Sequence, residues 1–141
     1  MLSQVMSGGV VVAVVVLVAA TAFGLVWRWR DGRLRAVDDG RLRSDDLGAD
    51  LGERATLVQF STAFCAPCRT TRRILDEVAG MVDGVVHVEV DAEANLGLVR
   101  RLEIVRTPTV LVLDSGGRIV RRASGAPRKA DVIAALGAAV S

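Results

Sequence analysis

The chain has 141 residues, a formal charge of +2 and only two cysteines. So small a charge offers no electrostatic footprint for nucleic acid. Two cysteines with no others exclude a disulfide-stapled secreted scaffold. The ratio of seventeen arginines to the single Lys129 reflects genome composition and points to no function.

From Gly8 to Trp27 the sequence is uncharged and dense in Val, Ala and Leu. That run meets the length of about 20 residues that a transmembrane helix needs. Trp27 and Trp29 at its end suit the interfacial aromatic belt. A buried core helix is a poor alternative, because the roughly 100 residues that remain could not cover all its faces. A cleaved signal peptide is the stronger rival, with Ala20-Thr21-Ala22 as a small-residue cleavage site. Against it, no Lys or Arg precedes the run.

The expected organisation is a tail at 1–7, one transmembrane helix at 8–29, a charged linker at 30–40 and a folded domain at 41–141. Arg28, Arg30, Arg33, Arg35, Arg41 and Arg43 follow the span closely. The positive-inside rule then places the domain on the cytoplasmic side of a single-pass cell-membrane protein. The same arginines suit anionic headgroups.

Within the domain, Arg41 to Ser44 is predicted as a first edge strand. Ser44 is predicted to cap a short helix to about Leu51, with Asp45 and Asp46 in its first turn. Ala55 to Phe60 is a central strand. Ala66 to Val82 is a helix whose Ile74, Leu75, Val78, Met81 and Val82 recur at helical spacing. Val85 to Asp91 alternates, with Val86, Val88 and Val90 on one face and His87, Glu89 and Asp91 on the other. Glu93 to Leu102 is a short helix. Thr109 to Leu113 and Arg118 to Ala123 form a hairpin across Asp114-Ser115-Gly116-Gly117. Arg128 to Val140 is a last helix with Val132, Ile133, Leu136 and Val140 inward.

Cys65-Ala66-Pro67-Cys68 sits where the central strand gives way to a helix. A Cys-x-x-Cys there is a thiol–disulfide redox signature. Cys65 lies at a helix N-terminus, where unpaired N–H groups and the dipole stabilise a thiolate. Cys68, in the first turn, can reach back and resolve a mixed disulfide. Pro67 costs little there, because its missing N–H would be unpaired anyway. A zinc site would need four ligands, and two Cys and the distant His87 do not supply them. A purely structural bridge closing so small a loop removes little unfolded-state entropy.

The ordered set of segments resembles the thioredoxin superfamily over about residues 40–141. Leu57-Val58-Gln59-Phe60 followed by Phe64-Cys65-Ala66-Pro67-Cys68-Arg69 is similar to its strand and active-site loop. Val88-Glu89-Val90-Asp91 resembles its next strand. Ile104-Val105-Arg106-Thr107-Pro108-Thr109 resembles the loop whose cis-proline faces the cysteines. Leu111-Val112-Leu113-Asp114 with Ser115-Gly116-Gly117 resembles its terminal hairpin, and Gly125 matches the glycine that closes the substrate groove. The chain departs from the family at Gln59, where an Asp is usual, and at His87, where a Lys is usual. Ser61 and Phe64 replace the usual tryptophans. In this it resembles a membrane-anchored thioredoxin-like branch.

The resemblance implies an α/β thioredoxin fold, a mixed central sheet flanked by helices, behind the transmembrane helix. It implies a redox-active Cys65–Cys68 disulfide, with Cys65 attacking and Cys68 resolving. It implies substrate contacts at Phe64, Thr107, Pro108 and Gly125. His87 and Gln59 are candidates for proton transfer, and no metal or bound cofactor is expected. Substrates would be protein disulfides. Electrons would come from a thioredoxin reductase or, for a domain outside the membrane, from a membrane thiol carrier. No His lies between the cysteines to stabilise the thiolate, which favours reduction over oxidation. The alternative is a redox-sensing or docking subunit of a membrane complex without enzymatic activity.

Overall fold

An uncharged run of β-branched residues forms a helix only where the backbone has no water to bond to, or where its own ladder suffices. Here it forms α1 (Leu2–Arg30), a unit by itself in which no residue is buried. The helix is long and apolar enough to cross a membrane. At about 1.5 Å per residue it extends roughly 43 Å, beyond the ~30 Å hydrocarbon core. Two of its hydroxyls are satisfied internally. Ser7 Oγ donates to the Ser3 carbonyl at 2.7 Å and Thr21 Oγ1 to that of Leu17 at 2.8 Å. The computed structural model describes residues 1–36 and 40–140. Residues 37–39 of the expected linker and residue 141 of the expected domain lie outside the described residues.

The second unit starts at Asp31. Its elements are β1 (Arg35–Ala36), α2 (Ser44–Leu47), β2 (Ala55–Ser61), α3 (Ala66–Met81), β3 (Val85–Asp91), α4 (Leu96–Arg101), β4 (Thr109–Asp114), β5 (Ile119–Ser124) and α5 (Lys129–Val140). The described strands form one sheet in the order β1-β5-β4-β2-β3. β2 and β3 are parallel, joined through α3, and the other pairs are antiparallel. This is the mixed sheet with helices on both faces expected for a thioredoxin fold.

Every residue of β2 is buried. On one face Ala55 and Leu57 join Leu75 and Val78 of α3 and Val132, Ala135 and Leu136 of α5. On the other, Val58 and Phe60 join Val88, Val90, Leu111 and Leu113, covered by Leu47 from α2 and Leu98 and Val99 from α4. Strict alternation along β2 thus feeds two cores at once.

Four details differ from the sequence expectations. The first edge strand is Arg35–Ala36, facing Arg122 and Arg121, while Arg41 makes only a single bridge to Arg118. The chain beside Arg41 runs over Gly117 (φ +81), where an added Cβ would strike the Leu42 carbonyl, so the approach is closer than a regular ladder allows. α2 is capped by Asp46, whose Oδ2 accepts from Arg43 N at 2.9 Å, and it stops at Gly48 in the left-handed region. α4 starts only at Leu96, because Asp91 and Asn95 hold the preceding residues in turns, with Glu93 N on Asp91 Oδ1 and Asn95 Nδ2 on the Asp91 carbonyl, both at 2.9 Å.

Met81 and Ile133 face outward, at 62% and 42% exposure. Ile133 follows Val132, and neighbours on a helix point about 100° apart, so only one of the two can face the sheet. Met81 is the last residue of α3, and the chain turns there so that Val82 packs inward instead.

This packing sets an expected contrast in stability. Leu75→Ala should cost about 2–5 kcal/mol, by loss of transfer energy plus a cavity. Met81→Ala should stay within about 0.5 kcal/mol, as exposed substitutions do. Urea unfolding of the full chain in mild detergent, followed by circular dichroism, measures both.

Candidate active site

β2 ends at Ser61, and the next residues carry the chain out of the sheet to the start of α3. Cys65 is the N-cap residue of α3, with extended backbone (φ −125°, ψ 101°). Its Sγ accepts a hydrogen bond from the Cys68 backbone N–H at 3.2 Å. The cap position normally taken by a Ser or Asp oxygen is therefore occupied by sulfur. Cys65 and Cys68 are joined as a disulfide with Cα atoms 5.2 Å apart. They differ in access: Cys65 is half-buried, whereas Cys68 is 1% exposed. A thiolate formed at Cys65 would meet an N–H donor, the helix dipole and solvent together.

Among the other expected site residues, Thr107, Pro108 and Gly125 come together beside this turn. The Thr107–Pro108 bond is cis. Thr107 Oγ1 lies 3.4 Å from Thr62 Oγ1, tying this loop to the segment that leads into the cysteines. Thr109 Oγ1 donates to the Arg106 carbonyl at 2.5 Å. Gly125 N–H donates to the Pro108 carbonyl at 2.7 Å. Gly125 has φ +108°, and a Cβ there would sit 2.7 Å from the Asp31 carboxylate, so the position admits only glycine. The β2–β4 pairing ends at Thr109, so the backbone of Thr107 lies beyond the ladder. Phe64 stands free of the fold at 99% exposure, as does Val105 at 84%.

Gln59 and His87 meet behind Cys68. Gln59 is fully buried, and its Nε2 donates to the Cys68 carbonyl at 2.8 Å. Its Oε1 lies 3.2 Å from His87 Nε2. His87 Nδ1 lies 2.6 Å from Asp76 Oδ1 on α3. Among the described residues, neither side chain makes a hydrogen bond to a sulfur; their partners are the Cys68 carbonyl, Asp76 and each other.

Three polar links were not anticipated from the sequence. Arg72 on α3 grips Glu89 on β3 with both Nε and Nη2, the latter 2.5 Å from Oε1, and Ser61 Oγ adds a bond to the same oxygen at 2.7 Å. Arg106, next to Thr107, pairs with Asp31 at 2.6 Å. Asp76 is the third. The signal in the sequence was Glu89 two residues after His87 on the polar face of its strand, with Asp76 and Arg72 one helical turn apart on α3. Among the described residues, no three His, Cys, Asp or Glu side chains group as a metal site would require.

A strand, a Cys-x-x-Cys at the next helix N-terminus and a cis-proline loop against it are here in one place. The thioredoxin family model matches residues 44–138. The chain belongs to the thioredoxin family. The thioredoxin of Mycolicibacterium smegmatis is 31% identical over 109 residues, covering 75% of this chain and 94% of that protein. The bifunctional thioredoxin reductase/thioredoxin of Mycobacterium leprae (strain TN) is 30% identical over 98 residues, 69% of this chain and 20% of that protein. Among solved structures, chloroplastic thioredoxin z shares the fold with a TM-score of 0.59 at 23% identity, over 74% of this chain and 96% of that one. The protein is accordingly a thiol–disulfide oxidoreductase acting through its Cys-x-x-Cys pair. Family membership implies protein disulfides as substrates and a reductase as electron source.

The Arg72–Glu89 link carries a pH signature. The Glu89 carboxyl is held below its usual value, first by the Arg72 hydrogen bonds, then by Ser61 and the charges of Arg72 and His87, against partial burial. Asp46 is lowered in the same sense by Arg101 and by the Arg43 backbone. A carboxyl lower in the folded than the unfolded state adds stability above the unfolded value and loses it as pH falls through the folded one. Both pairs are solvent-screened, so each contributes about 1 kcal/mol or less. Glu89→Gln and Asp46→Asn should each lower stability at neutral pH and flatten its decline below about pH 5. Denaturant midpoints of the full chain in detergent across pH 3–7 measure the slope.

Proposed function

We propose that this thioredoxin-family chain is anchored in the cell membrane by α1 and reduces protein disulfides by dithiol exchange through Cys65 and Cys68. The observation that carries the chemistry is the unequal access of the pair. The half-buried Cys65 sulfur accepts the Cys68 N–H, with the buried Cys68 behind it.

The exchange balances as follows. In the reduced pair, the Cys65 thiolate attacks one sulfur of a client disulfide. A Cys65–client disulfide forms, and the client's other sulfur leaves as a thiolate, which takes up the Cys68 proton. The Cys68 thiolate then attacks the Cys65 sulfur, closing the Cys65–Cys68 bond and releasing the second client sulfur. Two electrons have passed from the pair to the client. A dithiol donor, a reductase or a membrane thiol carrier, returns them. Reduction is the favoured direction because no cationic residue separates the two cysteines in sequence.

Client binding falls to the segment around Thr107. Its backbone lies past the end of the β2–β4 ladder and suits an extended client strand. Phe64 and Val105 offer exposed apolar surface beside it. Pro108 and Gly125 fix the loop from below.

Anchoring is supported by the length and composition of α1 and by hydroxyls satisfied within the helix. The arginines after the span support a cytoplasmic position for the domain. We take the organisation as a single span, α1 from Leu2 in place of the expected tail at 1–7, followed by a redox domain that starts at Asp31 and takes Arg35–Ala36 of the expected linker into its sheet.

Two experiments test this reading. Cys68→Ser should accumulate a mixed disulfide between Cys65 and client proteins, and Cys65→Ser should abolish turnover in an insulin-reduction assay. Turnover surviving in Cys65→Ser would remove the mechanism. A membrane-impermeant maleimide applied to intact cells after mild reduction should label the cysteines only after lysis. Labelling in intact cells would place the domain outside and shift the electron donor to a membrane thiol carrier.

A further inference from the structure

The hydrogen bonds behind Cys68 set an acceptor against each ring nitrogen of the chain's only histidine. The Cys68 carbonyl can only accept, so the Gln59 group 2.8 Å from it is the amide NH2. That turns Gln59 Oε1 toward His87 Nε2, and an amide oxygen also only accepts, so Nε2 carries a hydrogen. On the other side of the ring, Nδ1 lies 2.6 Å from a carboxylate oxygen of Asp76, which again only accepts. Nδ1 therefore carries the second hydrogen. The ring thus lies between two acceptors, its side chain 6% exposed and its carboxylate partner 63% exposed.

We propose that Asp76, His87 and Gln59 form a relay that presents a positive charge to the first turn of α3 and stabilises the thiolate form of the reduced Cys65–Cys68 pair. The Gln59 amide lies between, with its oxygen toward the cation and its N–H toward the Cys68 carbonyl. Its dipole adds to the effect of the charge, and the relay reaches the site through a dry core where screening is weak. None of the three residues touches a reacting sulfur, so they are positioning residues. This inference rests on the dithiol-exchange reading above and sets the strength of that couple.

The energetic direction follows from the exchange itself. Protein disulfide plus two glutathione thiols interconverts with protein dithiol plus glutathione disulfide, two electrons passing between the partners. A cation favours thiolate over thiol and has no charge to stabilise on the disulfide. It therefore favours the reduced protein and makes the couple less reducing than a chain without it. It also raises the thiolate fraction available for attack.

The charged groups around His87 are Asp76 and Arg72 on α3 and Glu89 on its own strand, with Arg72 neutralising Glu89. Its register partner Leu57 and its hydrogen-bond partner Gln59 on β2 are uncharged.

The test uses the full chain in detergent. With 15N-labelled histidine there is a single ring to observe. Two protonated nitrogens at about pH 7 are expected, and one protonated and one bare nitrogen would overturn the proposal. This measurement is on the unaltered chain and stands whether or not a variant folds. In glutathione equilibria at about pH 7, His87→Gln should move the constant about tenfold toward a more reducing couple, about 30 mV. Asp76→Asn should move it in the same direction by less, and His87→Lys, which keeps a cation, should restore it. Normal exchange with an unchanged constant in His87→Gln would overturn the relay alone. A wild-type chain that does not exchange with glutathione at all would overturn the dithiol-exchange reading, and the relay with it.

Discussion

β2 is enclosed on both faces, by α3 and α5 on one side and by α2 and α4 on the other, so none of its seven residues reaches water. That enclosure decides what the strand can carry. Apolar residues fill both cores, and any polar side chain must find its partners inside. Gln59 does so by bonding the Cys68 carbonyl and the His87 ring. Thr56 does so by accepting the Gly52 N–H at 2.9 Å. The strand then leaves the sheet at Ser61 with α3 already seated against it through Leu75 and Val78. The position of the redox turn is thus set by packing several residues away on each side.

The elements that sequence reading located are those set by local rules. β2, α3 and β3 each carry their own periodicity, and the turn at Asp114 to Gly117 carries its own chemistry. Cys65 and Cys68 were legible because short-range order and helix-terminus chemistry place them, and Pro108 through the resemblance of its loop to the thioredoxin superfamily. Elements with weaker local signals moved. The two-residue β1 exists only because β5 offers it partners, and α4 was shortened by side chains that capture the backbone before it.

What the sequence left hidden were pairs made by register. The parallel pairing of β2 with β3 sets Gln59 opposite Glu89 and Leu57 opposite His87. Only then does α3, lying across both strands, bring Asp76 to His87 and Arg72 to Glu89. Nothing in a linear sequence selects those partners from among seventeen arginines. Arg106 and Asp31 meet for the same kind of reason, the chain before β1 passing under the loop ahead of β4. Arginine suits such sites, since its planar fork holds a carboxylate with two bonds, as Arg72 does.

The place of β3 at the rim of the sheet has one further consequence. Along its outer side the seven residues of β3 face no neighbouring strand among those described. Such a rim is a template on which other chains can pair and aggregate. On this one, Glu89 and Asp91 stand exposed, and Arg72 is drawn down from α3 onto Glu89. Val86 is the only apolar side chain of the strand left open. Charge along the rim makes it a poor template. Molecules of this protein crowded together would therefore resist pairing edge to edge along β3.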